Sequence, residues 1–540
     1  MSETSQQVGF TFDKIEESNS PALGRESYLG KIDIDGLLAC FPRDEFREGQ
    51  KEALTQIGNA IQSGYRYIVI EAPTGSGKSM LAMTLARYYK SAHIITGQHI
   101  LQDQYQAEFS SVEGVFVIKG RGGYSCQVTG MSCAKGLCKL SSDYSCGEAC
   151  PYRKALHQAV QSPITIHNFD SYYYQREIHP DRPMVIFDEA HNIEGKCLNF
   201  LSLTISNRLI PQIDIPDLDH DVVAYQQYIN KDVLPKLETR ISQISSMLQQ
   251  SPELLTTYEK LTALQSKIGY FNKVVAADSW VSDYKKEDDG ETVITFRPVY
   301  VGEFASKMFF PKNDYSTYIF LSGTFLNKQI FCENVGLDPN ETKYIELPSV
   351  FPPENRPIFV RQLGSLNYRD INKTLPVVVQ SIQQILSKFP TKKGIIHTHS
   401  EYIASYIQRT CHNPRLTFRR DFITVNDMLA VHQGKPGSFI VASGLREGLD
   451  LKEDLSRVQI IVKMPYLDLG DQRVQRRKAL NPSWYSYMTA LNFIQMIGRS
   501  VRSKTDKAIT YVLDESFLKF MKYARRYIPN YVREAIRTKK

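Results

Sequence analysis

The octapeptide Ala72-Pro-Thr-Gly-Ser-Gly-Lys-Ser79 constrains this chain more than any other stretch. An apolar strand candidate, Tyr67–Ile70, precedes it, and a helix candidate free of Gly and Pro, Met80–Tyr89, follows. Strand, glycine-containing turn and helix N-terminus together make a phosphate cradle. Backbone N–H groups and the helix dipole face the anion, Lys78 reaches the terminal phosphates, and the Ser79 hydroxyl can ligate Mg²⁺. Ala72, Pro73, Thr74, Gly75, Ser76 and Gly77 form the loop, in which Gly75 and Gly77 keep side chains out so that the backbone can close on the phosphates. Ala72 stands where the commonest form of the motif has its first Gly. A glycine-rich turn with no ligand is the bland alternative, but the flanking strand and helix favour a bound nucleoside triphosphate, ATP with Mg²⁺.

With 540 residues the chain is long enough for two or three domains with large cores. Its net charge of +7 is compatible with a nucleic-acid partner without requiring one. Met1–Ser20 is polar and acidic, unlike a signal peptide, and no apolar run approaches the ~18 residues of a membrane span. The expected setting is therefore cytoplasmic, nucleoid-associated, or nuclear in a eukaryotic source. Of the nine cysteines, five crowd between Cys126 and Cys150, at Cys126, Cys133, Cys138, Cys146 and Cys150. In a chain that needs intracellular ATP, such crowding reads as metal binding rather than disulfides.

Along the chain, strand and helix patterns alternate, which predicts an α/β fold with a parallel sheet and its ligand at the carboxyl ends of the strands. Gln50, on a helical pattern from Phe46 to Ile61, has an amide suited to reading an adenine edge, although a solvated glutamine is the more frequent case. A buried strand, Met184–Phe187, ends in Asp188-Glu-Ala-His191. An acidic pair at such a tip suits Mg²⁺ binding by Asp188 and water activation by Glu189, and an acidic helix cap looks similar locally. Cys197 to Tyr300 breaks the alternation and carries a largely helical pattern, read as an insertion. The proline-rich stretch Pro348–Pro357 marks a domain boundary, beyond which a second alternation begins. A helix over Tyr485–Val501 would place Gln495, Arg499 and Arg502 on one face, where two guanidiniums can act as arginine fingers across a cleft. Basic groups at Lys119 and Arg121, and at Arg473, Arg476, Arg477 and Lys478, are candidates for phosphate contacts or for solvated surface.

Taken in order, Gln50, Ala72–Ser79, Thr96 with Leu101–Tyr105, Asp188–His191, Ser322–Thr324, Arg446–Asp450 and Gln495–Arg502 resemble the superfamily 2 helicases. The cysteine segment between the second and third nucleotide motifs narrows the resemblance to iron–sulfur DNA helicases of the XPD/DinG type. It covers roughly residues 45 to 515. The resemblance implies two RecA-like motor domains, with an iron–sulfur domain and a helical arch inserted into the first. The boundaries it implies are a loose N-terminus over 1–27, the first motor domain in three parts at 28–118, 161–196 and 301–347, the iron–sulfur domain at 119–160, the arch at 197–300, and the second motor domain at 348–540. It also implies that Glu447, Asp450 and Gln495 meet the nucleotide, that Arg499 and Arg502 are the fingers, and that single-stranded DNA is tracked 5′ to 3′ by a monomer acting on forked DNA, as in DNA repair.

Cys126 after Gly-Tyr-Ser and Cys150 before Pro-Tyr match the first and last cluster ligands of the family, and Cys133 and Cys138 fit the middle pair best, leaving Cys146 over. The short gaps 133–138 and 146–150 also admit a zinc site. Gly123 and Gly323 depart from the Asn and Ala usual in the family, and five cysteines occupy a segment that needs four. A nucleotide-switched DNA-binding remodelling factor would share every one of these ATPase motifs.

Overall fold

The computed structural model describes residues 32–538 except 74, 98, 137, 139–145, 249, 312–315, 350–351, 445–450, 452 and 502–505. Its first sheet contains β1 (Tyr67–Glu71), β2 (Ala92–Thr96), β3 (Val115–Val117), β4 (Ile164–Asn168), β5 (Met184–Asp188), β9 (Thr317–Ser322) and β10 (Thr342–Glu346), all parallel, in the order β10-β1-β9-β5-β2-β4-β3. β1, β2, β4, β5 and β9 are buried at every position, as continuous apolar runs covered on both faces must be.

The insertion before β9 holds a separate antiparallel sheet. There β8 (Thr292–Pro298) lies between β6 (Leu203–Ser206) and β7 (Trp280–Lys286), beside helices that include Leu234–Met247 and Leu255–Val274. Alternate burial of β8, with Thr292, Ile294, Phe296 and Pro298 facing inward, is the mark of a sheet with one covered face.

The second large sheet contains β11 (Ile358–Val360), β12 (Gly394–His397), β13 (Leu416–Phe418), β14 (Phe439–Ala442), β15 (Val458–Ile461), β16 (Ile509–Val512) and β17 (Ile536–Thr538), again all parallel, in the order β13-β14-β12-β15-β16-β11-β17. The chain is thus α/β with two parallel-sheet domains, as its alternation predicts. Among the described residues no helix is long and apolar enough to cross a membrane.

Three histidines meet in the first domain where β2 and β4 run side by side. The rings of His93, His167 and His179 lie 4.6 to 5.7 Å apart, with a hydrogen bond of 3.2 Å between His167 Nε2 and His93 Nδ1. Burial, with the Arg182 guanidinium alongside, pushes His93 down to about 3 and His179 to about 4, and burial holds His167 well below its ordinary range. The unfolded chain binds protons at these rings from about pH 6.5 downward, whereas the folded one resists until about pH 3 to 4. This contribution to stability is present at neutral pH and is lost as the pH falls through that window. The unfolding midpoint is therefore expected to drop by roughly 5 °C or more between pH 7 and pH 5. His167→Phe should flatten the drop in parallel melts, and a variant as steep as the parent would count against the cluster as its source.

Candidate functional site

β1 delivers the phosphate loop at its carboxyl end, and Lys78 opens the helix Lys78–Tyr89. Gly75 and Gly77 both take positive φ, +84° and +81°, in the left-handed region that glycine enters without a steric penalty. At Gly77 a Cβ would stand 2.2 Å from Gln50 Nε2, so the loop also needs glycine there for space. The Ser76 hydroxyl is buried without a hydrogen-bond partner, and the first N–H groups of the following helix are unpaired within it, as in any helix. An anion placed over this turn would meet donors that the protein itself does not satisfy. The cradle fits a nucleotide's phosphates.

Lys78 Nζ lies 3.2 Å from Glu189 Oε1, across from the tip of β5. Glu189 sits at φ +53°, an unusual conformation for a residue with a side chain, and opens a single helical turn, Ala190–Asn192. His191 Nδ1 stands 3.3 Å from Glu189 Oε2 and 2.7 Å from the hydroxyl of Ser322, at the tip of β9. Asp188 is buried and accepts a hydrogen bond of 3.0 Å from the hydroxyl of Tyr105.

Burial and the neighbouring Glu189 raise the Asp188 carboxyl to about 6, while burial of Glu189 is outweighed by Lys78 and His191, which hold its carboxyl below the usual range. The two carboxylates are thereby pushed apart in acidity, the arrangement that lets adjacent acids take different roles. Glu189 stays ionised, and a divalent cation such as Mg²⁺ would suit the Asp188 carboxylate.

Gln50 is 1% exposed and is turned onto the loop: its Nε2 donates to the carbonyls of Ser76 at 2.9 Å and Gly77 at 3.4 Å, while its Oε1 accepts from the Arg47 N–H. Adenine contact by Gln50 would require the amide to exchange these backbone partners. Ser79 Oγ lies 3.1 Å from Glu108 Oε2, and Arg47 donates to the Gly75 carbonyl at 3.0 Å. Glu108 and Arg47 thus support the loop in ways that motif reading alone missed, while Tyr105, which closes a motif read from the sequence, supports the acidic tip. Tyr105 and Glu108 are three apart on the helix His99–Phe109, and that spacing was the available signal.

In the second parallel-sheet domain the helix expected over Tyr485–Val501 ends earlier than its pattern suggests. It runs over Pro482–Ile497 and is capped by Gly498, so Arg499 lies beyond it and out of helical register with Gln495. Gln495 is half-buried, and its Nε2 has no hydrogen-bond partner. Arg499 is 6% exposed and close enough to His397, at the end of β12, to help burial push that ring down to about 3. Thr74, Glu447, Asp450 and Arg502 lie outside the described residues.

Two of the basic residues read as candidate DNA contacts are not available for that role. Arg473 and Arg477 are 6% and 2% exposed and both donate to Glu194, because a guanidinium that tertiary packing encloses must find its acceptors inside. Arg476 remains exposed, Lys119 pairs with Asp103 at 2.7 Å, and Arg121 stacks over the Tyr152 ring at 5.0 Å.

In the cysteine segment, Cys126, Cys133 and Cys150 are buried with Tyr152, and Tyr124 and Cys146 pack against them. Cys138 and Cys146 are half-buried, and all five thiols are free. Cys146 is hydrogen-bonded to Cys150, while a Cβ at Gly136 would lie 3.4 Å from Cys138 Sγ and 3.9 Å from Cys126 Sγ. Among the described residues no group of three or more His, Cys, Asp or Glu side chains is already set to hold a metal ion. The donor chemistry, five free thiols gathered in 25 residues, suits a thiolate-bound cluster.

Two family profiles match the chain, the helicase C-terminal domain over residues 382–535 and the res subunit of type III restriction enzymes over residues 43–214. Among solved structures it is similar to one titled XPD_Helicase, at a TM-score of 0.68 and 13% identity over 92% of this chain and 100% of that one. It is also similar to one titled XPD_APO, at 0.62 and 14% over 95% and 99%, and to S. tokodaii Xpd4, at 0.59 and 13% over 92% and 100%. No curated protein matches by sequence. A phosphate loop answered by an acidic strand tip, in the first of two parallel-sheet domains, the second of which the helicase C-terminal profile matches, makes this chain an ATP-dependent helicase enzyme with a fold similar to that of the XPD structures.

Proposed function

We propose that the protein is a DNA helicase that translocates 5′ to 3′ on single-stranded DNA and couples ATP hydrolysis to duplex unwinding. The observation that carries this reading is the Lys78–Glu189 pair, set between phosphate loop and acidic strand tip inside an XPD-type fold. In it, Ala72–Ser79 hold the triphosphate, Lys78 neutralises its terminal oxygens, Ser79 and Asp188 bind Mg²⁺, and Glu189 orients the attacking water. Gln50 meets the adenine, while Gln495, Arg499, Arg502, Glu447 and Asp450 complete the nucleotide site from the second motor domain. Closing the two domains brings the guanidiniums onto charge that develops only during transfer, and hydrolysis releases that contact. The protein acts as a monomer on forked DNA, in repair, with the domain boundaries set out above.

A forked duplex with a 5′ single-stranded arm, compared with one bearing only a 3′ arm, tests this reading. Strand separation is expected from the first alone. Hydrolysis that leaves both forks intact would instead identify an ATP-switched remodelling factor.

The same reading makes Cys126, Cys133, Cys138 and Cys150 the holders of a [4Fe–4S] cluster, with Cys146 the fifth thiol. Such a cluster supplies a cross-link within a segment too small to build its own core. Protein purified without oxygen is expected to be brown, with about four iron and four sulfide per chain. Ser in place of any of those four cysteines should bleach it and stop unwinding while sparing much of the ATPase, and Cys146→Ser should keep the colour. Colourless protein with one zinc per chain would refute the cluster.

A further inference from the structure

The helix Gln472–Leu480 belongs in sequence to the second motor domain, yet the first holds it by a buried ionic cluster. Glu194 Oε1 accepts from Arg473 at 2.7 Å and from Arg477 at 3.0 Å. Arg477 also donates to Asn334 at 2.7 Å and lies over the Trp484 ring at 4.4 Å, while Arg473 donates to the Pro298 carbonyl at 2.9 Å. Glu194, Arg473, Arg477 and Asn334 are each at most 8% exposed. Two guanidiniums against one carboxylate leave net positive charge in a buried interface. Desolvation offsets most of the attraction there, so stability alone does not account for the cluster. Its directional bonds do fix the distance and rotation between two helices.

Those helices lead to the two halves of the chemistry. Glu194 stands five residues beyond Glu189, on the helix Ile193–Leu201 that continues from the turn Ala190–Asn192. On the other side, Asn481 alone separates the helix Gln472–Leu480 from Pro482–Ile497, after which come the cap Gly498 and Arg499. The second helix spans about 24 Å, enough to carry a shift at the cluster to the finger.

We propose that Glu194, gripped by Arg473 and Arg477, is a positioning residue for ATP hydrolysis. It registers the second motor domain on the Asp188–Glu189 segment, so that Arg499 is presented to the phosphates at one fixed place. The inference rests on the reading of Arg499 as a finger.

Steady-state and single-turnover ATPase on the full chain test it, with Glu194→Gln and with the apolar triple Glu194→Leu, Arg473→Met, Arg477→Met, each in the parent and in an Arg499→Ala background. The triple removes all three charges together, which protects folding if the single change does not. The expected result is a kcat lowered roughly 10-fold or more, with KM for ATP within about 3-fold, and no further loss once Arg499 is Ala. Parental kcat in both variants, or the same fold-loss in both backgrounds, would overturn the proposal while leaving the finger and helicase readings standing. Parental turnover in Arg499→Ala alone would overturn the finger reading and this inference with it, and fork unwinding reports separately on the helicase reading.

Discussion

Lys78→Ala should abolish ATP hydrolysis, by at least roughly 10³-fold. The side chain serves two partners, the incoming terminal phosphates and Glu189, whose carboxylate lies 3.2 Å from Nζ. Removing the ammonium takes away the phosphate counter-charge and also the main influence that keeps Glu189 ionised against its burial. Asp188 loses the same nearby positive charge, so nucleotide affinity should fall along with turnover. Glu189→Gln differs in kind. It keeps the side chain's size and leaves Lys78 free for phosphate, so ATP should be retained while hydrolysis stops. Equilibrium binding of a labelled nucleotide beside turnover separates the two variants. A Lys78→Ala protein with normal turnover would sink the assignment of the loop.

Arg499→Ala should lower turnover by about 10³-fold while changing ADP affinity far less, because a finger acts on charge that spreads over the phosphoryl oxygens only during transfer. Burial makes this residue more than a surface basic group. At 6% exposure, beside His397, its position is set by its surroundings rather than by a flexible tether. Ala leaves a cavity there, so Arg499→Lys is the companion variant: it keeps charge and most of the volume but loses the planar fork. A true finger should be crippled by both, and a packing role should be rescued by Lys. Near-parental hydrolysis in both would place the finger elsewhere.

What the sequence determined by itself was local. The phosphate loop was legible because its conformation is written in neighbouring residues, with two glycines that take positive φ, an apolar strand before them and an uninterrupted helix after. The acidic tip of β5 was legible for the same reason, and so was the α/β class, since fully buried parallel strands must be apolar throughout. Helix ends were less legible. The basic pattern through Arg499 suggested a longer helix, but Gly498 ends it, and only the packed structure shows where Arg499 then goes.

Only the tertiary structure decided which distant residues meet. Edge strands such as β3, β13 and β17, three residues each, carry too few side chains for a periodic pattern and exist because a neighbour offers an edge to pair with. Tyr105 reaches Asp188 across 83 positions, and Arg473 reaches Glu194 across 279. Arg473 and Arg477 show the physical reason most plainly. A run of arginines on a polar helix looks like a surface made for phosphates. Whether it meets water or a buried carboxylate depends on which helix packs against it, and the spacing of residues along one strand of sequence holds no record of that partner.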